Sequence, residues 1–270
     1  MSRKTLNSTK KSAMAVNCPI CLSPATFFTN KKDRFGQDYH YLKCSSCRFL
    51  FDQDLALNKS NLQIKTSKEY DADYFKSIDS GWKLRGDKMI KVVNIFVKIL
   101  KFLKGGAKIT VLDYGAGNGY VASKIEQSVD IFYYDKYEKP TYQGNYKILE
   151  KPKEANLVCA VELVEHLSDI NEWNEIAKLP SNMLIFTTEV SDGISDNQLT
   201  DWAYVNPDAG HAAIYSFKAL GLLAKRYGFF YFFFPYKLSH IFIKSRFLSK
   251  CNIIRVQYGL YQLLRKIFKK

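Results

Sequence analysis

The segment Asp113-Tyr-Gly115-Ala-Gly117-Asn-Gly119 limits most strongly what this chain can fold into. It follows Lys108 to Asp113, a β-branched run that reads as a short strand, and precedes Val121 to Gln127, which reads as a helix. Three glycines at alternate positions between a strand and a helix let backbone N–H groups and a helix N-terminus approach a ligand closely. The next strand, Ile131 to Tyr134, delivers Asp135, 22 residues after Asp113. A carboxylate there can accept both hydroxyls of a ribose, and an acid ahead of the first glycine suits a ligand with a cationic amino-acid tail. The spacing GxGxG lacks the GxGxxG offset of a dinucleotide fingerprint.

Strand and helix signals alternate on either side of this turn. Met89 to Leu103 carries Ile90, Val93, Phe96, Val97 and Leu100 at helical spacing and ends at Gly105-Gly106. Leu157 to Val161 and Met183 to Thr188 read as buried strands, Ile170 to Lys178 and Phe217 to Tyr227 as helices. Phe229 to Phe234 and Ser239 to Lys244 read as two closing strands joined by a turn at Pro235. This order implies an α/β fold, an open doubly wound sheet covered by helices. A chain of 270 residues with 47% hydrophobic residues has material for one such domain and a small appendage. Its densest apolar run, Phe229 to Tyr236, is far too short to span a membrane.

Val111-Leu-Asp-Tyr-Gly-Ala-Gly-Asn-Gly119 resembles motif I of the class I S-adenosylmethionine-dependent methyltransferases, with Asp135 as the ribose-binding acid. The resemblance covers roughly residues 70–244 and implies a Rossmann-like seven-stranded sheet whose last two strands form a hairpin. It implies S-adenosyl-L-methionine as cofactor, held by Asp113, Gly115, Ala116, Gly117, Gly119 and Asp135. It continues at Val161-Glu-Leu-Val-Glu-His166-Leu, which is similar to the glutamate-histidine segment after the fourth strand of many small-molecule methyltransferases. Trp202-Ala-Tyr204-Val-Asn-Pro207, Gly210-His211 and Ile214-Tyr215-Ser216 extend it. Where the family usually has Asp before the fourth strand, this chain has Asn156. Tyr70, Tyr74 and Arg85 resemble the family's entry segment, whose aromatic and basic side chains cover the cofactor and contact its carboxylate.

Glu162, Glu165 and His166 follow a strand end, the place where open α/β sheets bind ligands. Glu162 is assigned to the cofactor, Glu165 and His166 to the chemistry. His166 has a resting pKa suited to taking a proton from a hydroxyl near neutral pH. His211 is a second candidate base, with Tyr215 one helical turn later. The competing reading of each is a packing residue, and because methyl transfer needs mainly alignment, a base is not obligatory.

Cys18-Pro-Ile-Cys21 and Cys44-Ser-Ser-Cys47 are two CxxC knuckles separated by 22 residues, able to bring four thiolates to a tetrahedral zinc ion. Between them Phe27-Phe28 and Tyr39-His-Tyr-Leu42 read as strands turning at Gly36, the pattern of a zinc ribbon. Four thiolates leave no open position, so the Zn2+ would be structural. His40 as a ligand and disulfides between the knuckles are the alternatives. A ribbon followed by Phe49-Leu-Phe51, a polar linker and Tyr-x3-Tyr-Phe is similar to zinc-binding methyltransferases that modify glycans and nucleotide sugars. Arg48 stands where that family commonly has Gly. Cys159 reads as a buried small hydrophobe.

The expected division is a basic N-terminus over 1–15, a zinc ribbon over 16–51, a linker over 52–69, a methyltransferase domain over 70–248 and a basic amphipathic helix over 249–270. Of the charges behind a net +14, six Lys/Arg lie in 1–32 and twelve in 209–270, neither with an acid, so 33–208 carries −4. Such ends favour an anionic partner, and the terminal helix can dock on its own domain, on another subunit or on an anionic membrane surface. The absence of an export signal, with paired cysteines, leads us to expect a cytoplasmic protein. The expected function is methylation of an oxygen or carbon on a small-molecule or carbohydrate-like acceptor. The rivals are an RNA or other nucleic-acid methyltransferase, motivated by the basic ends, and a non-catalytic cofactor-binding scaffold.

Overall fold

A computed structural model describes residues 16–56, 81–167, 169–234 and 239–250. The two basic ends, Tyr70, Tyr74 and the turn at Pro235 lie outside the described residues. The N-terminal part is an antiparallel meander of β1 (Val16–Asn17), β2 (Pro24–Lys32), β3 (Asp38–Cys44) and β4 (Leu50–Asp52), paired in chain order. Alternation along β3 sends Tyr39 and Tyr41 inward, and Phe49, Leu50 and Phe51 are wholly buried. The short helix α1 (Gln53–Ala56) opens the stretch expected to be a linker.

The helix expected from Met89 begins earlier: α2 spans Gly81–Leu103. Its first two turns expose Lys83, Leu84, Arg85 and Asp87, so no apolar stripe marks them in the sequence. There follow β5 (Thr110–Tyr114), α3 (Tyr120–Lys124), β6 (Asp130–Tyr134), β7 (Tyr146–Ile148), β8 (Leu157–Ala160), α4 (Glu172–Lys178) and β9 (Met183–Thr187). After these come α5 (Asp196–Asp201), β10 (Ala213–Ile214), α6 (Phe217–Arg226), β11 (Phe229–Phe234), β12 (Ser239–Lys244) and α7 (Ser245–Lys250).

Seven strands form one sheet in the order β11-β12-β9-β8-β5-β6-β7. Six run in the same direction, and β12 alone is inserted antiparallel between β9 and β11. Alternate residues serve two cores: Val111, Leu157, Cys159, Met183 and Ile185 pack with α2 on one face, Leu112, Val158, Leu184 and Phe186 with Trp173 and Tyr215 on the other. Both faces are therefore dry, as a mixed α/β sheet of this type requires. This is the methyltransferase fold expected, with its closing hairpin at Phe229–Phe234 and Ser239–Lys244. Before β8, the Asn156 carboxamide accepts the Thr110 N–H at 3.0 Å, and the Asn156 N–H reaches Thr110 Oγ1 at 2.9 Å. This tie pins β8 to β5.

Four strands were not foreseen: β1 and β4, only two and three residues long, and β7 and β10. β7 is a three-residue, largely exposed edge strand without an apolar period. β10 pairs antiparallel with β4, Ala213 opposite Phe51 and Ile214 opposite Leu50, so the N-terminal sheet is completed by a strand from 160 residues later. Further ties cross the same seam: Lys31 Nζ to the Val205 carbonyl at 2.6 Å, Tyr41 Oη to the His211 carbonyl at 2.6 Å, and the Asp52 N–H to the Ala212 carbonyl at 2.9 Å. No helix among the described residues is long and apolar enough to cross a membrane.

Candidate active site

The glycine turn leaves β5 with Gly115 at φ 68° and Gly117 at φ 52°. The Gly115 and Ala116 N–H groups donate to the Tyr134 carbonyl at 2.9 and 3.1 Å, and Tyr133 Oη donates to the Gly117 carbonyl at 2.6 Å. A Cβ on Gly115 would come within 2.8 Å of Leu163, whereas one on Gly117 would meet nothing within 4 Å. Gly115 is thus pressed against the segment after β8, and Gly117 borders open space on the side a ligand would occupy. Gly115→Ala is expected to cost about 3 kcal/mol, from left-handed strain plus overpacking. Gly117→Ala is expected to cost only about 1 kcal/mol, from strain alone. Urea unfolding of the two variants measures the difference.

Asp113 corrects an expectation. Its carboxylate is 1% exposed: Oδ2 accepts the Ala122 N–H at 3.0 Å and Oδ1 lies 3.5 Å from Cys159 Sγ. It braces α3 from behind the turn instead of reaching for an amino-acid tail, and burial pushes its pKa up to about 7. Asp135 stands at the ligand side of the turn, half-buried. Its Oδ2 accepts the Gly117 N–H at 2.8 Å and its Oδ1 the Tyr137 and Glu138 N–H groups, both at 2.8 Å. Three backbone donors fix the orientation of this carboxylate.

The chain leaves β8 through Glu162, whose φ of 48° is a strained setting for a side chain with a Cβ. Its N–H donates to Thr187 Oγ1 at 2.9 Å, and its carboxylate meets Arg85 Nε at 3.1 Å. Two residues 77 positions apart, both assigned to the cofactor, are thereby joined. A 3-10 turn, Val164–His166, follows. Glu165 is wholly buried and neither of its carboxylate oxygens has a hydrogen-bond partner. Burial, with the Glu162 charge adding, raises its pKa well above the ordinary carboxylate range.

His166 and His211 meet edge to face, ring centroids 4.8 Å apart. His211 Nδ1 lies 2.7 Å from the Tyr204 carbonyl, a pure acceptor, so Nδ1 carries the proton and Nε2 the lone pair. The backbone at Gly210 and Ala209 hydrogen-bonds the His166 ring. Burial holds His166 well below the usual imidazole range and lowers His211 to about 4. One ligating atom from each of Glu165, His166 and His211 lies within 4.8 Å of the others.

Tyr215, expected near the chemistry, is a core residue. It is 0% exposed, accepts Trp173 Nε1–H at 2.9 Å and donates to the Val164 carbonyl at 2.9 Å. The phenol to which sequence reasoning assigned no role beyond an aromatic wall around residues 202–215 is Tyr204. Its ring packs 4.4 Å from His211, its carbonyl orients that imidazole, and its hydroxyl bonds Thr188 Oγ1 at 2.9 Å and accepts the Glu189 N–H at 3.1 Å. The aromatic run Trp202-Ala-Tyr204 was the available signal.

On the far side of the β4–β10 seam the four cysteines converge. Sγ–Sγ distances are 3.6 Å for Cys18–Cys47, 3.4 Å for Cys21–Cys44 and 3.6 Å for Cys21–Cys47. A zinc tetrahedron with Zn–S of about 2.3 Å has edges of about 3.8 Å, so the donor set fits that ion. The Ser46 and Cys47 N–H groups both point at Cys44 Sγ at 3.4 Å. The contact with Cys47 lowers Cys18 to about 6 and raises Cys47, as for two thiols sharing a proton. After each knuckle the chain turns left-handed, at Leu22 with φ 62° and Arg48 with φ 60°. Glycine would adopt this setting without strain; here the Arg48 guanidinium reaches the Ile194 carbonyl at 3.3 Å and Asp196 at 3.6 Å. His40 points away from the cluster, with Nδ1 2.8 Å from Asn30 Oδ1.

No curated protein matches the sequence of this chain. Among solved structures, the plantazolicin methyltransferase BpumL in complex with SAH is 15% identical, aligns over 75% of this chain and 92% of its own, and has a TM-score of 0.47. Magnesium protoporphyrin IX methyltransferase from Synechocystis PCC 6803 with bound SAH is 14% identical over 69% of this chain and 95% of its own, TM-score 0.44. An O-methyltransferase family protein from Burkholderia thailandensis is 12% identical over 71% and 70%, TM-score 0.43. A family model described as a methyltransferase domain matches residues 91–231. That match covers just over half of the chain, including the glycine turn, the strand after it and both histidine segments, and the chain therefore belongs to the methyltransferase-domain family.

Proposed function

We propose that the chain methylates an oxygen of a small-molecule or carbohydrate-like acceptor, with a carbon as the alternative atom. The observation that carries this reading is the contact of Gly115 with Leu163, which seats the cofactor turn directly against the segment ending in Glu165 and His166. In this reading the N–H-rich turn from Gly115 to Gly119 receives S-adenosylmethionine, Asp135 accepts its ribose hydroxyls, and the Arg85–Glu162 pair lies beside its amino-acid end. An acceptor hydroxyl at the His166–His211 pair faces the methyl group. S-Adenosylmethionine, when bound, would supply the methyl group and leave as S-adenosylhomocysteine, while an imidazole nitrogen of the His166–His211 pair would take the proton of the acceptor hydroxyl. Both imidazoles are held neutral by burial, so they accept a proton at neutral pH but weakly, and alignment supplies most of the rate.

The four cysteines take a structural zinc ion, on the fit of their spacing and donor type. The test is calorimetric titration of the zinc-replete protein with S-adenosylhomocysteine. Asp135→Ala is expected to weaken binding about 100-fold, or about 2.7 kcal/mol, as two hydrogen bonds to a charged acceptor are lost. A folded wild type that does not bind the ligand refutes the reading. Screening of nucleotide sugars against RNA as methyl acceptors then decides the acceptor class, and an affinity that falls steeply with salt would favour the nucleic acid.

A further inference from the structure

We propose that Glu165, His166 and His211 form a second metal site, one that takes a first-row divalent transition-metal cation and is independent of the cysteine cluster. Two imidazoles and one carboxylate are a donor set for such ions, with further coordination positions left open for an oxygen ligand. Their ligating atoms already lie within 4.8 Å of one another. The two halves of the site are fixed to each other by the Ala212 N–H, which donates to the Glu165 carbonyl at 2.9 Å.

Three observations favour a cation over a lone catalytic base. First, Glu165 is 0% exposed, and its carboxylate has the Thr188 and Tyr204 hydroxyls beside it but no well-formed hydrogen bond and no cationic partner among the described residues. Buried polar groups are nearly always satisfied, and a carboxylate closing the floor of a cluster of nitrogen donors is satisfied by a cation. Second, both histidines have the outer arrangement of metal ligands. His211 gives its Nδ1 proton to the Tyr204 carbonyl at 2.7 Å, and backbone at Ala209 and Gly210 bonds the His166 ring. In metal centres the second ring nitrogen makes such a bond, which fixes the tautomer and turns the remaining lone pair inward. Third, the Thr188 and Tyr204 hydroxyls, bonded to each other at 2.9 Å, stand beside the carboxylate and can hold its orientation. Both histidines are half-buried, which leaves one side of the cluster accessible to an acceptor oxygen.

The inference deepens the proposed acceptor site, putting the cation in place of the imidazole base as the group that activates the acceptor hydroxyl, and rests on that reading only for the identity of the oxygen ligand. Its test uses the full chain with zinc already bound at the cysteines, titrated with Co2+ alone. One further equivalent is expected, with weak visible bands and no thiolate charge-transfer band, and with imidazole scattering in the X-ray absorption spectrum. Glu165→Gln and His211→Ala are each expected to weaken that binding at least tenfold. S-Adenosylhomocysteine binding in the same sample reports separately on the cofactor reading. Wild-type protein that binds this ligand but takes no cobalt beyond the cysteines overturns the proposal, as does a second equivalent that both folded variants retain. Should a variant not fold, the wild-type spectrum decides: a second ion without imidazole ligands overturns the assignment.

Discussion

Cys18→Ser and Cys47→Ser are each expected to unfold the N-terminal meander and to loosen the active site with it. In small zinc modules the metal supplies about 10–16 kcal/mol of folding free energy, as much as the entire stability of an ordinary domain. Cys18 and Cys47 are wholly buried, and Ser216 Oγ–H binds the Cys47 carbonyl at 2.5 Å, so the cluster is continuous with the start of α6. Tyr41 and β4 together hold residues 212–214, next to His211. Hydrogen exchange should therefore show amides of 16–52 losing protection, followed by those of 202–216, and a chelator should reproduce the pattern in the wild type. A serine variant that melts with the wild type would refute the metal.

Trp173→Ala is expected to cost about 3–5 kcal/mol, since its indole is wholly buried and stacks on Phe242 with centroids 5.9 Å apart. Tyr215→Phe is the sharper probe. It strips the Trp173 N–H and the Val164 carbonyl of a shared partner, and two unsatisfied buried groups should lower stability by about 2–4 kcal/mol. Because the phenol is sealed in the core, kcat of the folded fraction should be unchanged. Lost turnover at unchanged stability would return Tyr215 to the chemistry.

The parts of the fold legible in the sequence are those determined locally. The β11–β12 hairpin follows from two short aromatic and β-branched runs, and the glycine turn from its spacing between a strand and a helix. What escaped was set by distant partners. Ala213-Ile214 carries no period of its own and becomes a strand only because β4 offers it an edge. Asp113 was correctly placed at the end of the strand before the turn, yet whether its carboxylate faces a ligand or α3 is decided by the N–H of Ala122, which it accepts. In the site, His166 and His211 were both marked for their chemistry, but their edge-to-face contact requires the seam between 165 and 212. Tyr204 looked like one aromatic among several, and only its carbonyl, which any residue has, gives it a role at His211.

The pairing of β4 with β10 also sets a timetable during synthesis. When Asp52 leaves the ribosome, its strand has one finished edge, against β3, and one row of open backbone donors and acceptors. The strand that covers that row lies 160 residues downstream, roughly 8–30 s away at ordinary elongation rates. For that interval the nascent chain presents the edge of Leu50–Asp52 in an aromatic setting of Phe49 and Phe51, which can pair with any neighbouring strand. A fragment of the N-terminal meander made alone would keep that edge permanently. Production of residues 16–56 in isolation is therefore a route to aggregates, whereas the same residues followed by the chain through Ile214 close on themselves.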